Sequence, residues 1–281
     1  MIKKVAVIND LSGFGKCSLT ASIAILSAMG VQPCPMPTAV LTNQSGFKNH
    51  SCVDLTDSLH TYIDMWQKNG ESFDGIYSGY VANGNQIEII AEFIKTFRNS
   101  YNIVLVDPVM GDNGRIYKAY NKTTCDKMCG LVKSADIVTP NLTELCIISG
   151  VEYNSIIKKQ SDENYLEIIS DLAHKSLAHC NQKFVVTGIK NGDCIYNGIF
   201  SKNQTDFVKS KIYGDSFSGT GDIFASIICA AVVSGASLND AAKKAAGFLE
   251  KVIADTIKEP YDPNYGINFE KFICELSDRR S

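Results

Sequence analysis

The sequence has no apolar run approaching the roughly 20 residues that cross a bilayer; its most apolar stretches, residues 18–29 and 223–233, fall short. That excludes a membrane-spanning reading. It also has no cluster of lysine and arginine. The 27 basic and 30 acidic residues give a formal charge of −3, which supplies no electrostatic footprint for nucleic acid or an anionic membrane. A small-molecule partner is the default. The opening Met1-Ile2-Lys3-Lys4 and its short apolar run meet Asn9, Asp10 and Ser12 too soon for a signal peptide, so a cytoplasmic protein is expected. The ten cysteines follow no paired spacing, which predicts reduced thiols rather than a disulfide framework. Cys125 and Cys129 lie one helical turn apart, but no histidine or second cysteine pair accompanies them as a zinc site requires. Cys17, beside the glycines of an N-terminal loop, is the one thiol to examine for reactivity. His50, His60, His174 and His179 show no partner pattern. No linker, low-complexity tract or repeat divides the 281 residues, a length that suits one domain over 1–281.

What is present alternates. Residues 5–8, Val-Ala-Val-Ile, make a short apolar run ending in polar residues, the pattern of a strand buried on both faces. From residue 18 the spacing turns helical through Ile23, Leu26 and Met29, with Ser18 placed to cap the helix and Gly30 to stop it. The same rhythm predicts helices over 54–67, 86–97, 141–149 and 164–173, and strands over 75–80, 103–106, 136–138 and 184–186. Pro33, Pro35 and Pro37 keep 32–42 from being a central strand throughout and predict an edge position. Residues 194–200 and 205–213 read as a hairpin around Lys202-Asn203-Gln204, and 221–234 and 238–257 as helices. Strands alternating with helices imply an α/β fold: a central, mostly parallel sheet with helices on both faces and an antiparallel edge. Ligands of such sheets sit at the carboxyl ends of the strands. Asn9, Asp10, Tyr80, Asp107, Asp112, Asn141, Glu144 and Thr187 collect there.

The sharpest segment is Phe217-Ser218-Gly219-Thr220-Gly221-Asp222, immediately before the apolar helix that begins at Ile223. Glycines let backbone N–H groups crowd together and a helix N-terminus adds partial positive charge, so this junction suits an anion. Asp222 reads either as a helix cap or as a base beside that anion. A second constellation is Val106-Asp107-Pro108-Val109-Met110-Gly111-Asp112, followed later by Thr139-Pro140-Asn141-Leu142-Thr143-Glu144. Mg2+ takes oxygen ligands and shared phosphate oxygens, so Asp107, Asp112 and Glu144 can supply its carboxylate environment, partly through water. An Asp-Pro pair alone is a turn signal. Gly13-Phe14-Gly15-Lys16-Cys17-Ser18 imitates a phosphate-binding P-loop. It lacks the first glycine, where Asp10 stands, and the Ser or Thr after the lysine, where Cys17 stands. A substrate-side role is expected for this loop.

Gly-Thr-Gly-Asp at the start of a C-terminal helix, with the two acidic segments before it, resembles the ribokinase superfamily. The resemblance implies a three-layer α/β/α sandwich that transfers a phosphoryl group from ATP to a primary alcohol. It implies that Asp222 takes the proton of the attacking hydroxyl while the backbone of Gly219, Thr220 and Gly221 stabilises charge on the transferred group, since this chemistry asks for positioning and electrostatic stabilisation. It places Asp107, Asn141, Glu144, Thr187 and Gly219 at ATP, and Asp107, Asp112 and Glu144 at Mg2+. A monovalent cation such as K+ is implied near Asp107, Thr139 and Thr187.

Within the superfamily, the segment from Thr38 to Phe47, Ser78-Gly79-Tyr80 and the Asp107 to Asp112 loop look like the pyridoxal kinase branch, over nearly the whole chain. By that likeness the acceptor is the hydroxymethyl group of pyridoxal, pyridoxamine or pyridoxine, in the salvage of pyridoxal 5'-phosphate. Asp10 and Ser45 would hydrogen-bond the ring substituents, Leu41 and Tyr80 enclose the ring, and Asn43 shape the pocket. A homodimer is implied. Asp10 stands where many relatives have Ser, and Ser45 where Thr is frequent; a carboxylate beside the ring would welcome the amine of pyridoxamine. Ser45 and Asn43 could instead cap the turn at Gly46, and Tyr80 could be a core residue with a wet hydroxyl. Two other readings use the same residues. A hydroxymethylpyrimidine kinase of thiamine synthesis is opposed by Asp222 and the Leu41 to Phe47 segment, although dual activity stays open. A ligand-binding protein without turnover is opposed by the intact base, anion hole and acids.

Overall fold

The computed structural model describes residues 1–214 and 216–277. In chain order its elements are β1 (Lys4–Ser12), α1 (Ser18–Ala28), β2 (Gln32–Leu41), β3 (Cys52–Asp54), α2 (Thr56–Lys68), β4 (Gly75–Ser78), α3 (Gly84–Phe97), β5 (Ile103–Val106), β6 (Gly111–Asp112), β7 (Arg115–Ile116), α4 (Lys122–Val132), β8 (Ile137–Val138), α5 (Leu142–Ser149), α6 (Tyr153–Ile157), α7 (Tyr165–Ser176), β9 (Lys183–Asn191), β10 (Cys194–Ser201), β11 (Gln204–Lys211), α8 (Thr220–Val233) and α9 (Leu238–Thr256). Three short 3-10 turns follow.

Nine strands form one sheet in the order β11-β10-β9-β8-β5-β4-β1-β2-β3. The run from β9 to β2 is parallel, and the sheet is antiparallel at both margins: β9, β10 and β11 on one side, β3 against β2 on the other. The apolar strands are continuous because both faces are covered. Val5 and Val7 enter the layer packed by α1, α8 and α9, whereas Ala6 and Ile8 enter the opposite layer with α2, α3, α4, α5 and α7. In β5, Leu105 faces the first layer and Val104 and Val106 the second. This is the three-layer α/β/α sandwich expected of the chain.

The proline-rich strand is placed differently from expectation. Gln32 donates its N–H to Lys3 O at 2.8 Å, so Pro33, Pro35 and Pro37, alternating with it, turn their missing donors away from β1. β3 pairs only with Ala39, Val40 and Leu41, beyond the prolines. β2 is therefore second from the margin, open along its proline half alone. Similarly α2 begins at Thr56 rather than at 54, because Asp54 belongs to β3 and its carboxylate accepts the Thr56 N–H at 2.7 Å.

The parallel strand ends are stitched in a row. Gly79 N donates to Ile8 O (2.8 Å), Asp107 N to Ser78 O (2.8 Å), Thr139 N to Val106 O (3.2 Å) and Thr187 N to Pro140 O (2.9 Å). Every polar residue after these strands is thus delivered to one margin. In the layer of α2 and α3, Trp66, Phe73, Phe93 and Phe97 interlock, with Phe93 and Phe97 centroids 4.6 Å apart and Trp66 and Phe93 5.9 Å apart. Phe93→Ala is expected to lower unfolding stability by ~3–5 kcal/mol, the usual loss for a buried aromatic truncation. A urea midpoint equal to that of the unmodified protein would contradict this packing.

Candidate active site

Helix α8 is entered through Gly219, whose φ of 80° lies in the left-handed region. A side chain is excluded twice over, because a Cβ there would also stand 2.1 Å from the Lys16 carbonyl oxygen. The 13–17 loop and the α8 entrance are consequently pressed backbone to backbone. Thr220 turns its hydroxyl onto Phe217 O (3.0 Å), and the first intrahelical bond runs from Ile223 N to Gly219 O (3.0 Å). That leaves the amides of Thr220, Gly221 and Asp222 without an acceptor among the described residues. Free N–H groups at the positive end of a helix make an anion hole.

A segment with no earlier signal braces this entrance. Ser218 N donates to Pro263 O (3.1 Å), Lys16 N to Tyr265 O (3.2 Å), and Gln44 Nε2 to Asn264 O (3.2 Å). Tyr265 packs edge-on against Phe47, with centroids 5.0 Å apart. Residues 263–266 therefore tie the N-terminal loop, the 44–47 turn and the anion hole together. No motif in the sequence assigns these residues a role.

Asp222 is half-buried in the first turn of α8 and accepts Asn9 Nδ2 at 3.0 Å. Burial raises its pKa to about 6, with repulsion from Asp10 adding to the rise and the Ser18 amide and Asn9 side chain opposing it. A carboxylate that ionises just below neutrality suits a general base. Ser18 does not cap α1 as expected. Cys17 takes that position, and Ser18 is the first helical residue, at φ 50°, in a turn that leaves its amide facing Asp222. Asp10 is 5% exposed and accepts the Ser12 hydroxyl at 2.9 Å. Burial raises its pKa, against the Ser18 and Ser12 hydroxyls. Cys17 is buried, and burial and then the charges of Asp222 and Asp10 push its thiol up to about 12, away from the thiolate that reactivity requires. All ten cysteines are free.

Along the margin, Asp107 Oδ1 accepts the Thr139 hydroxyl at 3.1 Å. Glu144 stands in the first turn of α5 in a capping box: Asn141 Oδ1 accepts Glu144 N (3.0 Å) and Glu144 Oε2 accepts Asn141 N (2.9 Å). Glu144 Oε1 accepts Met110 N (2.9 Å), and Asn141 Nδ2 donates to Gly111 O (2.8 Å). The start of α5 thus clasps the 107–112 loop, whose Val109 is held at φ 33°, a strained value for a β-branched residue. Thr187 lies beside Asn141 through a single parallel bridge. Asp112 accepts both N–H groups that Asn113 offers, at 2.9 Å each.

Burial raises Asp107 well above the usual carboxylate range, with Glu144 and Asp222 adding repulsion. It raises Glu144 to about 7 against the donated amides of Asn141, Met110 and Gly111. Among the described residues no lysine or arginine pairs with Asp10, Asp107, Asp112, Glu144 or Asp222. Nor, among them, do three carboxylate, thiol or imidazole groups close a cage around an ion. The donor set still fits Mg2+, which keeps several waters and takes one or two carboxylates plus phosphate. Asp107 Oδ2 takes no hydrogen bond from the described residues, whereas both Glu144 oxygens already hold backbone amides.

Of the residues expected at the substrate, Leu41 is buried and Tyr80 half-buried, and Tyr80 N donates to Asn9 Oδ1 at 2.8 Å. Burial and then the Asp10 charge push the Tyr80 phenol up to about 12. Asn43 is half-buried and Ser45 exposed. The turn at Gly46 is held by Gln44, whose Oε1 accepts Gly46 N at 2.6 Å. Neither Asn43 nor Ser45 caps it, and their side chains make no hydrogen bond among the described residues. The structure brings Asp222, Asp10 and the anion hole together, with Asp107 beside them. Asn141 and Glu144 serve chiefly to build the acidic loop. Asn9, placed at this margin by its position after an apolar run, is given its part by the bond to Asp222, which the sequence does not show.

The sequence profile of the phosphomethylpyrimidine kinase family matches residues 15–264. A Bacteroides thetaiotaomicron protein assigned as a phosphomethylpyrimidine kinase, crystallised with pyridoxal, has a TM-score of 0.87 and 35% identity, over 98% of this chain and 96% of that one. Pyridoxal kinase from Lactobacillus plantarum shares the fold, with a TM-score of 0.88 at 24% identity over 98% of this chain and 97% of that one. A pyridoxine/pyridoxal/pyridoxamine kinase of Bordetella avium is 24% identical over 253 residues, 86% of this chain and 82% of its own.

Gly219→Ala must displace the Lys16 carbonyl or unwind the α8 entrance. The expected loss in turnover is ~10²–10³-fold, the usual effect of removing an oxyanion donor, with the circular dichroism spectrum retained. Turnover within threefold of the parent would show that the entrance does not hold the reacting group.

Proposed function

The chain belongs to the phosphomethylpyrimidine kinase family, and from that premise we propose that it is a single-domain, ATP-dependent kinase of the hydroxymethyl group of vitamin B6 vitamers. One observation carries the reading: a half-buried carboxylate, Asp222, at the mouth of a glycine-lined helix entrance whose amides are free. In this reading Asp222 accepts the proton of the attacking primary hydroxyl. The amides of Gly219, Thr220 and Gly221 stabilise negative charge on the group in transfer, which is where an oxyanion hole gives most of its effect. Leu41 and Tyr80 wall the pyridine ring, Asp10 meets a polar substituent, and Ser45 and Asn43 stand on the adjacent turn. Asn141 and Thr187 border the phosphates, and Mg2+ would be held by Asp107, with Asp112 and Glu144 acting through water. That ion neutralises phosphate charge when bound. K+ near Asp107, Thr139 and Thr187, a homodimer and a cytoplasmic setting belong to the same reading.

The description of the family names a pyrimidine, phosphomethylpyrimidine, as acceptor, which keeps the related alcohol hydroxymethylpyrimidine as a second reading. The pyridoxal in the crystals of the 35% identical Bacteroides protein supports the B6 reading instead. A coupled ATP-consumption assay over pyridoxal, pyridoxamine, pyridoxine and hydroxymethylpyrimidine separates the two. Turnover confined to the pyrimidine, or none at all, ends the B6 proposal.

Asp222→Asn is expected to cut kcat by ~10²–10⁴-fold, the range for a lost general base, with KM little changed. Because burial raises Asp222 to about 6 and the ionised form is the base, kcat should fall as pH drops through that value. A flat profile between pH 5 and 8 would exclude Asp222 as the titrating base. Asp10→Asn removes a buried carboxylate that suits an ammonium, and should reduce kcat/KM for pyridoxamine relative to pyridoxal. Unchanged ratios among the three vitamers would leave Asp10 without a part in selection.

A further inference from the structure

Asn9 takes no part in the chemistry above, yet it is the most enclosed polar side chain beside the base, with 0% exposure. Its amide orientation follows from its neighbours. The backbone N–H groups of Asp10 (3.0 Å) and Tyr80 (2.8 Å) both point at one terminal atom, which must be the carbonyl oxygen. The other is then the NH2 group, 3.0 Å from Asp222 Oδ1. A flipped amide would set donor against two donors and oxygen against carboxylate, away from water, where unsatisfied groups are costly. Space is reserved for this arrangement, because a Cβ on Gly79 would stand 2.4 Å from Asn9 Nδ2.

We infer that Asn9 is a positioning residue for the base: it fixes the orientation of the Asp222 carboxylate by donating to Oδ1, and through its own carbonyl ties that orientation to the backbone of Asp10 and Tyr80. This rests on the proposed kinase reading for its catalytic consequence. The base and the substrate walls are thereby set by one side chain at the end of β1. Other groups that face Asp222 offer no substitute. The Asp10 and Asp107 carboxylates repel it, and the Cys17 thiol and the Tyr77 and Tyr117 phenols are neutral and themselves raised by burial and by its charge. Among the described residues, the Asn9 side chain and the Ser18 amide are the groups that hold it toward ionisation.

Asn9→Asp isolates the donor. It keeps the shape and the acceptor for the Asp10 and Tyr80 amides but places an oxygen against Asp222 Oδ1. On pyridoxal and MgATP it is expected to lower kcat at pH 7 by ~10²-fold, the scale of a misplaced catalytic group, with KM within threefold. The acidic limb of kcat should move up by about one unit or more, as a like charge requires. Gly79→Ala crowds Nδ2 without adding charge and should give the same kcat-specific loss with a smaller upward shift. A purely structural Asn9 would instead lower thermal stability in both variants and leave limb and kcat unmoved, which overturns the inference. Carbon-13 NMR titration of the Asp222 carboxylate, assigned by its absence in Asp222→Asn, reads the contact without turnover. An upward shift in Asn9→Asp supports the inference even should the parent phosphorylate no vitamer, an outcome that would sink the kinase reading alone. An unmoved titration in an active parent sinks the positioning role alone.

Discussion

Five carboxylates, of Asp10, Asp107, Asp112, Glu144 and Asp222, are drawn to one margin of the sheet, and among the described residues no lysine or arginine answers them. Leaving a charge buried and unpaired costs several kcal/mol, so the local architecture is largely a response to that cost. Backbone amides do much of the work. Met110 and Asn141 donate to Glu144, Ser18 faces Asp222, and neutral side chains such as Asn9 and Thr139 complete the shells. Neutral donors stabilise a carboxylate without cancelling its charge, which leaves the margin able to attract a cation and its phosphates.

Two helix N-termini serve this margin in different ways. α5 spends its first turn inward: its capping box binds Glu144 and Asn141 to one another and to the 107–112 loop, so the helix positions the acids. α8 leaves its first amides without an acceptor among the described residues, because Thr220 turns its hydroxyl onto Phe217 O and Asp222 is held from outside the helix by Asn9. The same motif of structure thus becomes a clasp in one place and an anion hole in the other, according to where the first-turn side chains go. The close approach at Gly219 converts the 13–17 loop, which superficially imitates a P-loop, into part of the wall around that hole.

The strand and helix rhythm was legible because both faces of the sheet are covered and the apolar runs are uninterrupted, as at Val5 to Ile8. Gly219 to Asp222 and Asp107 to Asp112 were legible as chemistry because glycine and acid beside an apolar element have few structural uses. Two-residue β6 and β7, three-residue β3 and helix α6 are too short to leave a period. The place of β2 was misjudged because proline excludes a hydrogen bond on one side only, and all three prolines here face the same side. Ser18 reads as a cap by residue type, and only the turn that brings its amide to Asp222 explains why it is not one. Asn9 and the 263–266 turn act through contacts 213 and about 220 residues away in sequence, a separation that no local pattern records.

The protonation states follow from the same crowding and bear on how ligands would be held. Burial raises Glu144 to about 7 and Asp222 to about 6, and lifts Asp107 well above the carboxylate range. The folded chain therefore binds protons more tightly than the unfolded one at these groups, and their contribution to stability is lost as pH rises through the folded values. A divalent cation entering beside Asp107 would favour the ionised forms, so its binding releases protons and relieves repulsion that the fold otherwise bears. By linkage, a ligand that binds this margin in the native state and not in the unfolded chain stabilises the fold. Acids left unpaired add nothing to the fold's own stability; in the proposed kinase reading, the same unpaired charge is what a divalent cation with its polyphosphate would neutralise.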